Sequence, residues 1–165
     1  MSANHDPSDP GADDQTESTR MRLLVIEDDP ADVELIRRYT ADIGWDVELD
    51  HYCSFLSMLE GIKTTHYDVV ISDYLLGGAT GFEVIEALKM LGIESPVILM
   101  TGDGNERLAV AALQAGAVEY INKEDLEPHL LQQVILRAVE RGKNMLESCS
   151  SEADSRRGCG RRAPE

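Results

Sequence analysis

The sequence is short of basic residues, of cysteine and of long apolar runs. Its 15 lysines and arginines face 31 aspartates and glutamates over 165 residues, for a formal net charge of −16. The deficit is uneven along the chain. Residues 1–20 hold five acids and one base, net −4; residues 21–142 hold 22 acids and nine bases, net −13; residues 143–165 hold four acids and five bases, net +1. A strongly acidic folded part argues against direct binding to nucleic acid, whose phosphates it would repel. The surplus also suits a salt-rich cytoplasm, where screening relieves self-repulsion. No apolar run reaches the roughly 18 residues a membrane-spanning helix needs, so no membrane partner is expected. Met1 to Arg20 is polar and has no apolar stretch, which is not the pattern of a secretory signal. Cys53, Cys149 and Cys159 are few, odd in number and irregularly spaced. They fit a reducing cytoplasm better than a disulfide framework or a zinc site.

What the chain does have is short apolar runs that end in polar groups. Leu23-Leu24-Val25-Ile26 runs directly into Glu27-Asp28-Asp29. Val69-Val70-Ile71 leads through Ser72 to Asp73, and a Gly-rich stretch follows from Leu76 to Gly81. Pro96 to Met100 ends at Thr101, and Val118 to Asn122 ends at Lys123. Runs this short and apolar predict strands buried on both faces, as in a parallel sheet. Val47 to His51 alternates instead and predicts an edge strand.

Helical spacing fills the intervals. Asp29-Pro30 is a helix start, with Asp as N-cap and Pro at the first helical position. Val33, Ile36, Tyr39 or Thr40, and Ile43 continue that helix, and Gly44 stops it. Phe55 to Ile62 and Phe82 to Leu88 give two more helices, and Leu108 to Ala115 gives a small, Ala-rich fourth. The fifth has Leu130, Leu131, Val134, Ile135, Ala138 and Val139 on its apolar side, with Asp125 as its expected cap. Five strands alternating with five helices predict a doubly wound α/β domain with right-handed crossovers. Residues 1–20 are acidic and polar and predict a disordered tail; 21–142 form the domain; 143–165 turn polar again and predict a second disordered tail.

In a parallel sheet the carboxyl edges of the strands come together, and ligands bind there. That edge would gather Glu27, Asp28, Asp73, Thr101 and Lys123. Taken singly, each has an ordinary explanation as a charged loop, a cap or a solvated lysine. Taken together they form an electrostatic cradle. Three carboxylates repel one another and raise each other's pKa unless a cation joins them. Hard oxygen ligands with room for water suit Mg²⁺. An ammonium and a hydroxyl beside one carboxylate favour a phosphoryl group, whose transfer needs mainly positioning and charge neutralisation. Asp can itself be the nucleophile and form an aspartyl phosphate.

Over residues 21–142 this pattern resembles the receiver domains of response regulators, and is similar to the single-domain, CheY-like chemotaxis type. The resemblance implies a flavodoxin-like (βα)5 fold with strand order 2-1-3-4-5. It implies that Asp73 is the phosphoacceptor. Asp28, Asp73 and the backbone carbonyl of Leu75 would hold Mg²⁺, with Glu27 reaching the ion through water. Thr101 and Lys123 would bind phosphoryl oxygens. Thr101 and Tyr120 match the switch positions, and Gly81 matches a glycine eight residues past the acceptor. Two positions depart from the family: Gly77 replaces a proline, and Lys123-Glu124 replaces a Lys-Pro pair that commonly has a cis peptide. A cis bond at Lys123-Glu124 would cost about 2.5–4 kcal/mol.

The resemblance implies a stand-alone cytoplasmic receiver in a two-component phosphorelay. A sensor histidine kinase or a phosphotransfer domain would supply the phosphoryl group, and output would pass to a partner protein, with a homodimer through the fourth helix, last strand and last helix as a further expectation. It would be a signalling module that promotes only its own phosphorylation and dephosphorylation. A flavodoxin-like cofactor binder is the main rival, but Glu27-Asp28-Asp29 would repel the phosphate that such a binder holds after its first strand. A Mg²⁺-dependent phosphatase would carry an acid at position 75, where Leu75 stands. A pseudo-receiver would lack part of the constellation.

Overall fold

The computed structural model describes residues 20–62 and 66–157. The strands are β1 (Met21–Ile26), β2 (Val47–Tyr52), β3 (Val69–Asp73), β4 (Val97–Thr101) and β5 (Glu119–Asn122). The helices are α1 (Pro30–Asp42), α2 (Phe55–Gly61), α3 (Gly81–Met90), α4 (Glu106–Ala115) and α5 (Pro128–Arg157). The strands form one parallel sheet in the order β2-β1-β3-β4-β5. The fold is therefore the doubly wound one that the alternation predicts.

The three apolar strands lie at the centre because their side chains need cover on both faces. β3 and β4 are buried at every residue. Leu23, Val25, Val69, Ile71, Ile98 and Met100 face α1 and α5, where Ile36, Leu131 and Ile135 meet them. Leu24, Ile26, Val70 and Leu99 face the other way, toward Met58, Val84, Leu88 and Ala112 of α2, α3 and α4. β2, with its alternating sequence, takes the edge.

Local chemistry sets the helix starts. The Asp29 side chain accepts from Ala31 N at 2.8 Å, and Pro30 opens α1. Ser54 and Ser57 form a reciprocal cap on α2. Asn105 caps α4 by accepting from Arg107 N at 2.9 Å, so α4 starts at Glu106, ahead of its first apolar residue. Gly81 opens α3 tight against β3: a Cβ there would sit 2.5 Å from Leu99 Cδ2 and 3.0 Å from the Asp73 carbonyl oxygen.

Two expectations about α5 are corrected. Asp125 does not cap it; Lys123–Asp125 form a 3-10 turn, and the helix opens at Pro128, a residue suited to the first helical position. The polar composition after Arg141 predicts a tail without regular structure, yet the helix continues to Arg157. No glycine or proline stands between Lys143 and Arg157, so nothing in the backbone stops it before Gly158. The expected N-terminal tail, up to residue 19, and residues 158–165 lie outside the described residues.

Candidate functional site

The carboxyl ends of β1 and β3 lie side by side, since Ile26 pairs with Ser72. Glu27 follows β1 directly and is fully buried, at 0% exposure. Its Oε1 accepts from Asp29 N at 3.1 Å, which fixes the carboxylate within its own turn. Asp28 is exposed at the rim. Asp73 ends β3 at 8% exposure, and its Oδ1 accepts from Leu75 N at 3.3 Å. One carboxylate oxygen from each of Glu27, Asp28 and Asp73 lies within 4.8 Å of the others. Such a set of three hard oxygen donors at an open edge fits a divalent cation of the Mg²⁺ kind.

Lys123 reaches the same point from the far end of the sheet. It opens the 3-10 turn after β5, and its Nζ lies 2.7 Å from Glu27 Oε2, 2.8 Å from Asp32 Oδ2 and 3.0 Å from Asp73 Oδ2. Burial opposes charge on the ammonium, but the Asp32, Glu27 and Asp73 carboxylates that surround it outweigh burial and hold the group above the usual lysine range. Glu27 moves upward too, to about 7: burial drives the rise, and the Lys123 ammonium only partly offsets it. Even with its lysine, this edge carries more negative charge than it neutralises.

Thr101 stands on β4, one residue past Met100, the register partner of Asp73. It is buried, at 1% exposure, and its Oγ1 accepts from Asp103 N at 3.2 Å. Tyr120, on β5, pairs in register with Leu99, and its ring packs on the α3–α4 side of the sheet. Its hydroxyl donates to the Asp103 carbonyl oxygen at 3.3 Å. Thr101 and Tyr120 are thus joined through one peptide residue, Asp103.

The β3–α3 loop explains the missing proline. Gly77 has φ +57°, which a proline ring forbids, and Gly78 follows at φ +127°. Leu76 N donates to the Ala79 carbonyl across this turn, and Leu75 pairs with Thr80 as an isolated bridge. Gly77 comes close to Asp28; a Cβ there would lie 3.6 Å from Asp28 Oδ2. The peptide after Lys123 is trans, as are the other described peptides.

The structure brings Glu27, Asp28, Asp73 and Lys123 into one cleft, lined also by Asp29, Pro30 and Asp32. Thr101 and Tyr120 lie beside it on the next strands. Leu75, whose N–H donates to Asp73 Oδ1, has an exposed side chain. Sequence reading missed Asp32 and Asp103. The signal for Asp32 was there: it lies three residues past an N-cap at the strand edge, where a first helical turn faces back to the cleft. Asp103 acts through its backbone, which no residue type announces.

A buried carboxylate at a strand end, a carboxylate trio and a lysine at the carboxyl edge of a 2-1-3-4-5 parallel sheet are the arrangement of a receiver domain. A family model described as the response regulator receiver domain matches residues 23–135, and the chain belongs to that family, the receivers of two-component systems. Phosphorylation and Mg²⁺ binding are general to it. Among relatives, the transcriptional regulatory protein DltR of Streptococcus agalactiae is 35% identical over 117 residues, which are 71% of this chain and 51% of that protein. Response regulator MprA of Mycobacterium avium is 32% identical over 117 residues, 71% of this chain and 49% of that one. The chain therefore spans about half the length of the curated relatives it matches. A receiver domain protein from Clostridium thermocellum has a TM-score of 0.64 at 26% identity, covering 76% of this chain and 98% of that one. A CheY-like receiver from Methanospirillum hungatei has the same TM-score at 24% identity, covering 77% and 99%, a likeness of fold. No described helix is long and apolar enough to cross a membrane.

Proposed function

We propose that residues 21–142 are a receiver domain that takes a phosphoryl group on Asp73 from a phosphohistidine of a sensor kinase or phosphotransfer protein. The observation that carries this is the Lys123 ammonium, 3.0 Å from Asp73 Oδ2 at the buried carboxyl edge beside Glu27 and Asp28. An Asp73 oxygen forms the new P–O bond. The P–N bond breaks, its electron pair goes to the imidazole nitrogen, and the donor histidine takes up a proton from solvent. Glu27, Asp28, Asp73 and the Leu75 carbonyl would hold Mg²⁺, which when bound neutralises the charge gathered between acceptor and phosphoryl oxygens. Lys123 keeps an N–H on the acceptor side, and Thr101 offers its hydroxyl to a phosphoryl oxygen. The domain promotes no turnover beyond its own phosphorylation and dephosphorylation.

Output passes to a partner protein, and the acidic charge of residues 21–142 supports this over direct contact with nucleic acid. The readout surface is the face of α4, β5 and α5, where Val110, Leu113 and Leu136 expose apolar side chains. A second copy of the chain would fit the same face. A reducing cytoplasm suits the exposed, free Cys53.

The test is direct phosphorylation by a small acyl phosphate with Mg²⁺, read by intact mass. The parent gains one labile phosphoryl group and Asp73→Asn gains none; equal yields in the two proteins would remove Asp73 as acceptor.

A further inference from the structure

An ammonium has three N–H bonds. On Lys123 the hydrogen bonds run to Asp32 Oδ2 and Asp73 Oδ2, and Glu27 Oε2 lies 2.7 Å away as an ion-pair partner outside hydrogen-bond geometry. Glu27 and Asp73 belong to the carboxylate trio that could hold a metal; Asp32 does not. It comes from the first turn of α1 and contacts a lysine 91 residues further along the chain.

We propose that Asp32 is a positioning residue for phosphoryl transfer: together with the charge of Glu27 it holds the Lys123 ammonium so that another of its N–H bonds points at Asp73. The inference rests on the reading of Asp73 as phosphoacceptor. A lysine is a point charge on a flexible stem, and without fixed acceptors it samples many directions. Lys123 starts from a short 3-10 turn after the edge strand β5, so its backbone alone leaves the stem free to swing. Glu27 holds the nitrogen by charge at 2.7 Å, being buried and tied to Asp29 N. Asp32 fixes the direction of one N–H, since α1 is itself held by its Asp29 cap. With the nitrogen held against Glu27 and one N–H fixed on Asp32, a second N–H is left aimed at Asp73. When Asp73 loses its charge on accepting the phosphoryl group, only that bond is released. It needs to turn only as far as the new oxygens, while Asp32 keeps its hydrogen bond and Glu27 its charge contact. Donors held in place before the reaction are the ones that stabilise it most.

An acid in a first helical turn also suits the helix dipole, and that role alone would leave Lys123 indifferent to it. A double-mutant cycle separates the two. The affinity for beryllofluoride with Mg²⁺ is measured by calorimetry in the parent, Asp32→Ala, Lys123→Ala and the double variant. Asp32→Ala binds about tenfold more weakly than the parent, the scale of one hydrogen bond to a charged group. In the Lys123→Ala background the Asp32 substitution has no further effect. In metal-free protein, the Lys123 ammonium signal in NMR exchanges its hydrogens faster once Asp32 is gone. Asp32→Asn keeps the shape of the turn and shifts both readouts the same way, by less, so a poorly folded alanine variant does not block the test. An equal loss in both backgrounds, or a lower melting temperature with unchanged affinity and exchange, overturns the proposal. Failure of Asp73 as acceptor is a separate result, read from the Asp73→Asn mass.

Discussion

Remove the Lys123 ammonium and Glu27, Asp32 and Asp73 face one another with no cation. Read from sequence alone, an ammonium at a strand end has little to pack against and its loss costs little stability. The structure changes that expectation, because Lys123 is held by three carboxylates and one of them is fully buried. Lys123→Ala is therefore expected to lower the stability of metal-free protein by about 1–3 kcal/mol, the cost of leaving a buried acceptor unpaired. Mg²⁺ should raise the melting temperature of the variant, since it neutralises the same carboxylates. Melting curves with and without Mg²⁺ decide; an unchanged metal-free melting temperature would show that the three contacts contribute nothing. Gly81 gives a second prediction. The Cβ of Gly81→Ala would meet Leu99 Cδ2 at 2.5 Å and the Asp73 carbonyl at 3.0 Å, and a backbone carbonyl cannot swing away as a side-chain tip can. The variant should lose about 1–3 kcal/mol, as overpacked cores do. A denaturant midpoint equal to the parent's would mean that α3 shifts freely off β3.

At the scale of elements, what was legible in the sequence was whatever repeats or punctuates. β1, β3 and β4 show as apolar runs, α1 shows its Asp29-Pro30 start, and the edge position of β2 shows in its alternation. Glu27, Asp28 and Asp73 are legible as the polar residues at the ends of such runs, whereas Asp32 lies inside the first turn of α1. Three things were not. The start of α5 depends on the 3-10 turn that follows Lys123, and Asp125 resembles a cap whether or not a helix follows it at once. The length of α5 depends on the absence of breakers, a weak signal in a polar stretch. The Thr101–Asp103–Tyr120 connection runs through backbone atoms. That connection carries a prediction of its own. If the Thr101 hydroxyl turns to a phosphoryl oxygen, it leaves Asp103 N, and the peptide it held is free to move. Tyr120 is tied to the same residue and α4 follows it, packed on the sheet through Ala112 alone as a fully buried side chain. Under the proposed switch this connection acts as a two-state element biased by a local charge change. Beryllofluoride with Mg²⁺ should move NMR shifts across residues 104–122 as well as in the cleft, and Tyr120→Phe should shrink the distant part while leaving the cleft response. Shifts confined to Asp28 and Asp73 would rule the route out.

At the scale of the molecule, charge dominates. Net −13 falls on residues 21–142. Among the described residues, the cations that meet acids are few and placed at seams: Arg20 and Arg22 serve Asp46, Glu48 and Asp50 along β1 and β2, Arg137 and Arg141 serve Glu119 between α5 and β5, and Lys123 serves the cleft. There are far more acids than these five bases can pair, so the surplus repels itself in the folded state more than in the expanded chain. Screening shortens the reach of that repulsion, from roughly 10 Å at 0.1 M salt to about 3 Å at 1 M. Exposed pairs such as Arg20–Asp46 weaken under the same screening, but each contributes only about 0–1 kcal/mol. Relief of repulsion among the unpaired acids should outweigh their loss. The melting temperature in the absence of divalent ions should rise steadily between low and molar potassium chloride. A chloride series compared with a sulfate series separates screening from the general stabilisation that sulfate gives by exclusion. A flat or falling curve in chloride would mean that the acids lie too far apart to repel, and the acidic surface would then have to be explained by what it keeps away.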